Sequence, residues 1–447
     1  MNRDATASGY RRVLSRFDAT MLVIGSIIGA GVFFTPNDIA AVTQDRGSMM
    51  WVWVLGGLIA LSGSLTYAEL GGMFTRAGGV YVFLREAFGD LTAFLYGWGL
   101  LLVIAPGAAA IVAGVFSANL TYFFPTLDDV GQLWISLAAL VVLTAVNIRG
   151  VHWGSTVQNV VTLAKLAALA ALAVGGLAYT GVPAHPVAGA QVPAPTHGGW
   201  SAMVFAMMPV LFSYGGWQNG TYIAGEMKRP QRDVPWAVLG GTLVAIACYL
   251  AINLAYLRVL TPQAIASDRA FVTRVADMAL GPVGGSVVAL GILVSTFGIC
   301  AAILLTNPRV GQALGEDGLF FTALGRLHPR YRTPAWAIGI LGGWACVLLL
   351  VGGAGQLLDA VVFVDWVFFA GCALSLFVFR RTRPEAERTF RCPFYPVVPG
   401  VFLVLATAMA IASFLKSDWI SRILGPGVLM AGVVVFFLYR RFRQEPD

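Results

Sequence analysis

Long stretches free of Asp, Glu, Lys and Arg set the pattern of this chain. The runs 19–37, 47–68, 130–148, 234–257 and 278–308 each hold one helix able to cross a bilayer, which takes about 20 apolar residues. The run 91–127 holds one long helix and a Pro-containing turn. The run 166–225 holds the end of one span, a Pro/Gly-rich loop over 182–199, and a further span. Segments near 333–351, 357–379, 395–415 and 423–439 bring the expected count to twelve. The pattern therefore predicts an all-α integral membrane protein with twelve transmembrane helices.

Composition supports the membrane reading against the alternative that length suggests. At about 150 residues per domain, 447 residues would make about three soluble domains. Hydrophobic residues are 58% of the chain and charged ones 11%, against about 25% charged in soluble domains, so too little polar surface exists to cover them. The net charge of +7 fits either a nucleic-acid binder or a membrane topology signal. With both termini cytoplasmic, 22 basic residues fall on the cytoplasmic side and 6 on the other, so the charge reads as positive-inside topology and not as a nucleic-acid surface. The N-terminus carries Arg3, Arg11, Arg12 and Arg16 and no small-residue cleavage site, and reads as an uncleaved cytoplasmic start. Cys248, Cys300, Cys346 and Cys372 lie in apolar runs and Cys392 in a basic loop, with no disulfide framework. His152, His185, His197 and His328 lack ligand spacing, so neither a metal nor a cofactor is expected.

Two spans interrupt themselves. The first reads Gly25-Ser26-Ile27-Ile28-Gly29-Ala30-Gly31-Val32-Phe33, and the sixth reads Phe212-Ser213-Tyr214-Gly215-Gly216-Trp217 with Pro209 one turn earlier. Glycines in membrane helices also serve close packing. Paired breaks at the first span of each half of a five-plus-five arrangement instead point to a transporter site at mid-membrane. Unwound backbone cannot face lipid, so the breaks are expected to line a buried or wet cavity. The N-terminus of a second half-helix offers N–H groups to a carboxylate, and the C-terminus of a first half-helix offers carbonyls to an ammonium. An α-amino acid carries both groups close together.

Lys165 is the one basic residue left inside a span, where an ammonium costs about 3 kcal/mol. Either its stem snorkels to the cytoplasmic interface, or it is a buried cation that takes a sodium ion's place, holding span five against span one and Ser295 or Thr296 of span eight. Glu69 and Glu226 read as cytoplasmic-edge groups, Glu69 near Arg76. Asp365 lies further into its span and reads as a proton site or, with Asp359, as a structural residue near the outer edge.

The segments 25–33, 67–81, 157–165 and 212–230 together resemble the L-type amino acid transporters, of the amino acid, polyamine and organocation superfamily. The resemblance carries motifs from Phe17 to about Phe321 and rests on helix count beyond. It implies a LeuT-type inverted repeat, with a cytoplasmic segment 1–16, a first five-helix repeat 17–180, a second 199–380, helices 11 and 12 over 394–440, and a tail 441–447. It also implies sodium-independent transport, usually by exchange. Ala30, Gly31 and Val32 would then offer amides to the substrate carboxylate, and Ile27, Phe212, Ser213 and Gly215 carbonyls to its ammonium. Phe212 and Trp217 would gate the site. Three departures stand out. Ala30 replaces a frequent Ser, residues 104–108 of span three lack the arginine of animal members, and 119–133 contain no cysteine, so no disulfide-linked heavy chain is expected.

The expected function is exchange of neutral L-amino acids by alternating access in the plasma membrane, of a bacterial inner-membrane kind, with lipid and the amino acid as partners. The rival on the same fold is a proton-coupled symporter. An embedded enzyme would need a polar catalytic constellation within the spans, and the sequence has none. A channel would need a pore-lining ring in place of two half-helix breaks.

Overall fold

The computed structural model describes residues 9–187, 189, 191–192, 200–351, 354–416 and 419–444. The boundary at 199, residues 188, 190 and 193–199 of the 182–199 loop, which include His197, residues 1–8 of the N-terminal segment and residues 445–447 of the tail lie outside them. Among the described residues the chain is helical, with two isolated parallel bridges, Leu14 to Met227 and Ala184 to Leu260, in place of strands.

The first part of the chain runs α1 (Arg16–Ile27), α2 (Gly31–Thr43), α3 (Arg46–Met73), α4 (Val80–Phe88) and α5 (Asp90–Gly99). A π-helical turn, Leu100–Ile104, leads into α6 (Ala105–Asn119), followed by α7 (Asp129–Arg149) and α8 (Val151–Ala178). Then come α9 (Trp200–Ser213), α10 (Asn219–Tyr222), α11 (Pro230–Val259), α12 (Pro262–Ser267), α13 (Phe271–Leu280) and α14 (Gly284–Thr306). The last are α15 (Pro308–Glu316), α16 (Thr322–Gly325), α17 (Ala335–Val351), α18 (Ala354–Thr382), α19 (Val397–Lys416) and α20 (Trp419–Gln444). Ten helical stretches are long and apolar enough to cross a membrane. In addition, α17 is apolar over 17 residues, and α9 stops after 14 at Ser213.

Local chemistry explains several helix ends. Ser15 and Asp18 form a reciprocal capping box at the start of α1. Asp45 caps α3, and the Ser48 N–H and hydroxyl hold its carboxyl below its ordinary value. Prolines inside helices free carbonyls one turn back, and side chains from neighbouring helices take them. The Tyr256 hydroxyl donates to Val32 O at 3.4 Å, opposite Pro36, and Trp344 Nε1 donates to Leu102 O at 2.8 Å, opposite Pro106. The broken pair α1 and α2 is enclosed by α8, α9, α11 and α14, while α11 packs along α3 and α18 along α19.

Candidate functional site

Both glycine-rich segments are breaks in the helices. α1 ends at Ile27 and α2 begins at Gly31; α9 ends at Ser213 and α10 begins at Asn219. The two breaks touch through their backbones. Gly216 has φ +113°, a conformation L side chains rarely adopt, and a Cβ there would stand 2.5 Å from the Ser26 carbonyl oxygen. Gly31 faces Ser213, where a Cβ would meet Ser213 Oγ at 2.6 Å. Only hydrogen at these two positions permits the approach.

Three neighbouring helices supply donors to the carbonyl end of α1. Lys165, 1% exposed on α8, donates from Nζ to Gly25 O at 3.0 Å and Ile28 O at 2.8 Å, with Ser295 O at 3.5 Å. Snorkelling is therefore not what this lysine does; its ammonium lies against the break. Ser295 Oγ on α14 donates to Ile28 O at 3.3 Å. The Thr296 hydroxyl donates to Ile292 O and Leu293 O of its own helix and does not join the lysine. Tyr249 on α11 ties the breaks together, its hydroxyl lying 2.8 Å from Ile27 O and 2.9 Å from Ser213 O.

The remaining expected residues divide by position. Ile27 and Val32 are buried, whereas Ala30, Gly31 and Gly215 are half-buried. Ala30 stands at the N-cap of α2 and makes no side-chain cap bond, so the first N–H groups of α2 have no side-chain acceptor from that position. The Ser26 hydroxyl is buried without a partner among the described residues. Ser213 Oγ bonds Thr35 Oγ1 at 2.8 Å and Pro209 O at 2.9 Å. Phe212 and Trp217, the two expected gating residues, differ in burial. Phe212 is 52% exposed, while Trp217 is 3% exposed and packs against Tyr67, Phe369 and Phe402 with ring centroids 4.6–5.7 Å away. A cavity of about 10 Å³, enough for one water, lies behind the second break between Leu211, Tyr214, Gly215, Trp217, Trp366 and Phe369.

Beyond the second break, the end of the bundle that carries the N-terminus is closed by polar pairs. The hydroxyls of Tyr96 on α5 and Tyr222 on α10 lie 2.5 Å apart. Glu226 and Arg309, both buried, pair at 2.9 Å, and Leu14 N donates to Glu226 O at 3.0 Å. Arg76 and Arg85 converge on Asp317 with the Tyr81 hydroxyl. Glu69 is neither solvated nor paired with Arg76. It is fully buried, bonded by Arg380 at 2.7 Å, Arg388 at 2.9 Å and the Cys392 N–H at 2.7 Å. Two arginines and an amide offset the desolvation of that carboxylate. Asp365 is not near an outer edge either. It stands well inside α18 and is half-buried.

Reading the sequence missed Tyr249 and the Tyr96–Tyr222 bridge, and it put Gly216 in the second break without assigning it the contact with Ser26. The available signal was a tyrosine within an apolar span, whose hydroxyl requires a partner once buried. Nothing in the sequence names that partner.

Residues 14–438 match the amino acid permease family model. The chain is 30% identical over 436 residues to the serine/threonine exchanger SteT of Bacillus subtilis, covering 96% of this chain and 97% of that protein. It is 29% identical to the b(0,+)-type amino acid transporter 1 of Mus musculus, covering 94% and 86% respectively. It is also 28% identical to the Asc-type amino acid transporter 1 of Mus musculus, covering 98% and 82%.

Proposed function

The chain belongs to the amino acid permease family, whose members are transporters and not enzymes, and from that premise we propose that it exchanges neutral L-amino acids across the membrane without sodium. The observation that carries this reading is the Lys165 ammonium bonded to the Gly25 and Ile28 carbonyls at the break of the first span. A fixed positive charge already occupies the place where a sodium ion would brace these carbonyls. No second cation is then needed there to hold the unwound backbone.

In this proposal the substrate carboxylate binds the N–H groups of Ala30, Gly31 and Val32 at the start of α2, where the helix dipole favours an anion. Its ammonium lies toward Ile27, Phe212, Ser213 and Gly215. The Ile27 and Ser213 carbonyls share the single Tyr249 hydroxyl proton, and each keeps a lone pair for the substrate. The unpaired Ser26 hydroxyl lies at the same break. Twelve spans in a five-plus-five inverted repeat place α1/α2 and α9/α10 as the counterpart broken helices, with helices 11 and 12 formed by α19 and α20. The termini face the cytoplasm of a bacterial inner membrane, as the basic residues argue. Inward opening then separates Tyr96 from Tyr222 and Glu226 from Arg309. Phe212 and Trp217 gate the opposite approach. With no cysteine in 119–133, the chain works without a disulfide-linked heavy chain.

The test is efflux of labelled L-serine from proteoliposomes in sodium-free buffer. Efflux is expected to require an external amino acid, and an unlabelled panel defines which side chains compete. Equal uptake into empty vesicles down a pH gradient, or a sodium requirement, defeats the exchange reading.

A further inference from the structure

At the end of the bundle that carries the N-terminus, two segments far apart in the chain bring their cations to one seam. Leu14 and Met227 form a parallel bridge, with Leu14 N donating to Glu226 O and Lys228 N to Leu14 O, both at 3.0 Å. In that register the start of α1 runs beside Lys228 and Arg229 at the foot of α11. Arg16 of α1 spans the seam, donating from Nε to Asp233 at 3.1 Å with its guanidinium over the Trp236 ring at 5.4 Å. Lys228, Arg229 and Arg232 are exposed, and among the described residues none of them has an ion-pair partner. The nearby carboxylates are taken: Asp18 by Ser15 and Asn159, Asp233 by Arg16, and Glu226 by Arg309.

The outer face of α11 changes chemistry along its length. Arg229, Arg232, Trp236 and Leu243 follow at spacings of three, four and seven residues, which puts them on one side of the helix, and Leu254 continues the stripe. All are exposed, Trp236 at 62% and Leu243 at 52%. On α1, Phe17 is 53% exposed, next to Arg16. Cations first, an aromatic next and aliphatic side chains beyond is the order in which a bilayer presents phosphate, interface and acyl chain. A mere excess of basic residues on one side of a membrane does not require that order. The Arg16 guanidinium keeps N–H groups beyond the one given to Asp233, in the fork that suits a phosphate.

We propose that this seam binds the headgroup of an anionic phospholipid in the leaflet on the side of the termini. The headgroup lies among Arg16, Lys228, Arg229 and Arg232, and the acyl chains run along Phe17, Trp236 and Leu243. One lipid thereby joins the start of α1 to the foot of α11. A zwitterionic lipid of the same chain length fits the apolar stripe and leaves the cations without a net counter-charge. The site stands apart from the two helix breaks. This inference rests on the membrane reading of the chain and adds a partner to it.

The experiment is native mass spectrometry of the full chain in detergent, titrated with phosphatidylglycerol or with phosphatidylcholine of the same acyl chains. Phosphatidylglycerol is expected to bind about tenfold more tightly. The double variant Arg229→Gln, Arg232→Gln, which alters only exposed and unpaired side chains, is expected to remove that preference and leave phosphatidylcholine binding as it was. Arg440→Gln with Arg441→Gln, an equal charge change at the end of α20, is expected to keep it within about twofold. Brominated phosphatidylglycerol locates the site, since its quenching of tryptophan fluorescence is expected to shrink in Trp236→Phe. Equal affinity for the two lipids, an unaltered preference in the α11 double variant, the same loss in both double variants, or undiminished quenching in Trp236→Phe overturns the proposal. So does displacement of the lipid by millimolar inorganic phosphate or polyglutamate, which would assign the cations to a soluble anion. None of these readouts needs transport, so a chain that exchanges no amino acid loses the exchange reading while the lipid site is decided on its own result.

Discussion

The two helix breaks look alike in sequence and are held by different physics. At the first, polar side chains from α8, α11 and α14 donate to Gly25, Ile27 and Ile28 carbonyls. At the second, the Tyr249 hydroxyl reaches Ser213 O and Thr35 Oγ1 lies 2.8 Å from Ser213 Oγ, while the rest is local turns and aromatic packing of Trp217 against Tyr67, Phe369 and Phe402. Freed carbonyls in a membrane interior need donors. The first break receives them from fixed neighbours, while the second closes its own through short turns such as Gly215 N–H to Phe212 O at 3.1 Å. A break held by packing can re-form as the bundle opens. One pinned by an ammonium keeps its shape.

The most severe way to break this comparison is Gly216→Ala, which acts on both breaks together. The side chain meets the Ser26 carbonyl, and the left-handed backbone adds about 1–2 kcal/mol of strain. Exchange is expected to vanish and the melting temperature of the detergent-purified protein to fall; wild-type exchange in this variant would show that the breaks do not need contact.

Next in size is Lys165→Met, which keeps the stem and removes the donor. At least a tenfold loss of exchange is expected, because Gly25 O loses its lysine donor at about 1–3 kcal/mol and Ile28 O keeps only Ser295 Oγ at 3.3 Å. Recovery of exchange by added sodium would sharpen the idea that the ammonium stands in an ion's place.

Tyr249→Phe removes the one hydroxyl shared by the breaks, and a several-fold drop in exchange is expected, about 1 kcal/mol. Rates equal to wild type would mean that each break is self-sufficient. The smallest effect belongs to Ser295→Ala, because Lys165 still serves Ile28 O. Less than a threefold change is expected, about 0.5 kcal/mol, and Thr296→Val is expected to leave the lysine's bonds unchanged. A larger loss in Thr296→Val than in Ser295→Ala would reverse the assignment on α14.

Much of this was legible along the chain. Apolar runs announced helices, and glycine pairs announced both breaks, because helix propensity and desolvation are local properties. Lys165 stood out because an ammonium in an apolar run has no local reason to be there. Its two possible destinations were not separable from the sequence, since a lysine stem is long enough for either. That Phe212 is exposed while Trp217 is buried was not legible, because the turn between them is packed by residues from other helices. The partners of Glu69 were not legible for a related reason. Whether a carboxylate near a helix end is solvated depends on which arginines fold over it, and those lie at the end of α18 and in the loop after it.

By itself the sequence determined that this chain is a bundle of membrane helices, with two of them interrupted and a lone lysine among them. Only the tertiary structure decided which carbonyls that lysine serves, that Tyr249 joins the two interruptions, and that Glu69 has two arginines while Asp365 has none. The physical reason is range. Burial and helix breaking are written into neighbouring residues, whereas the partner of a buried polar group is chosen by packing between helices more than a hundred residues apart.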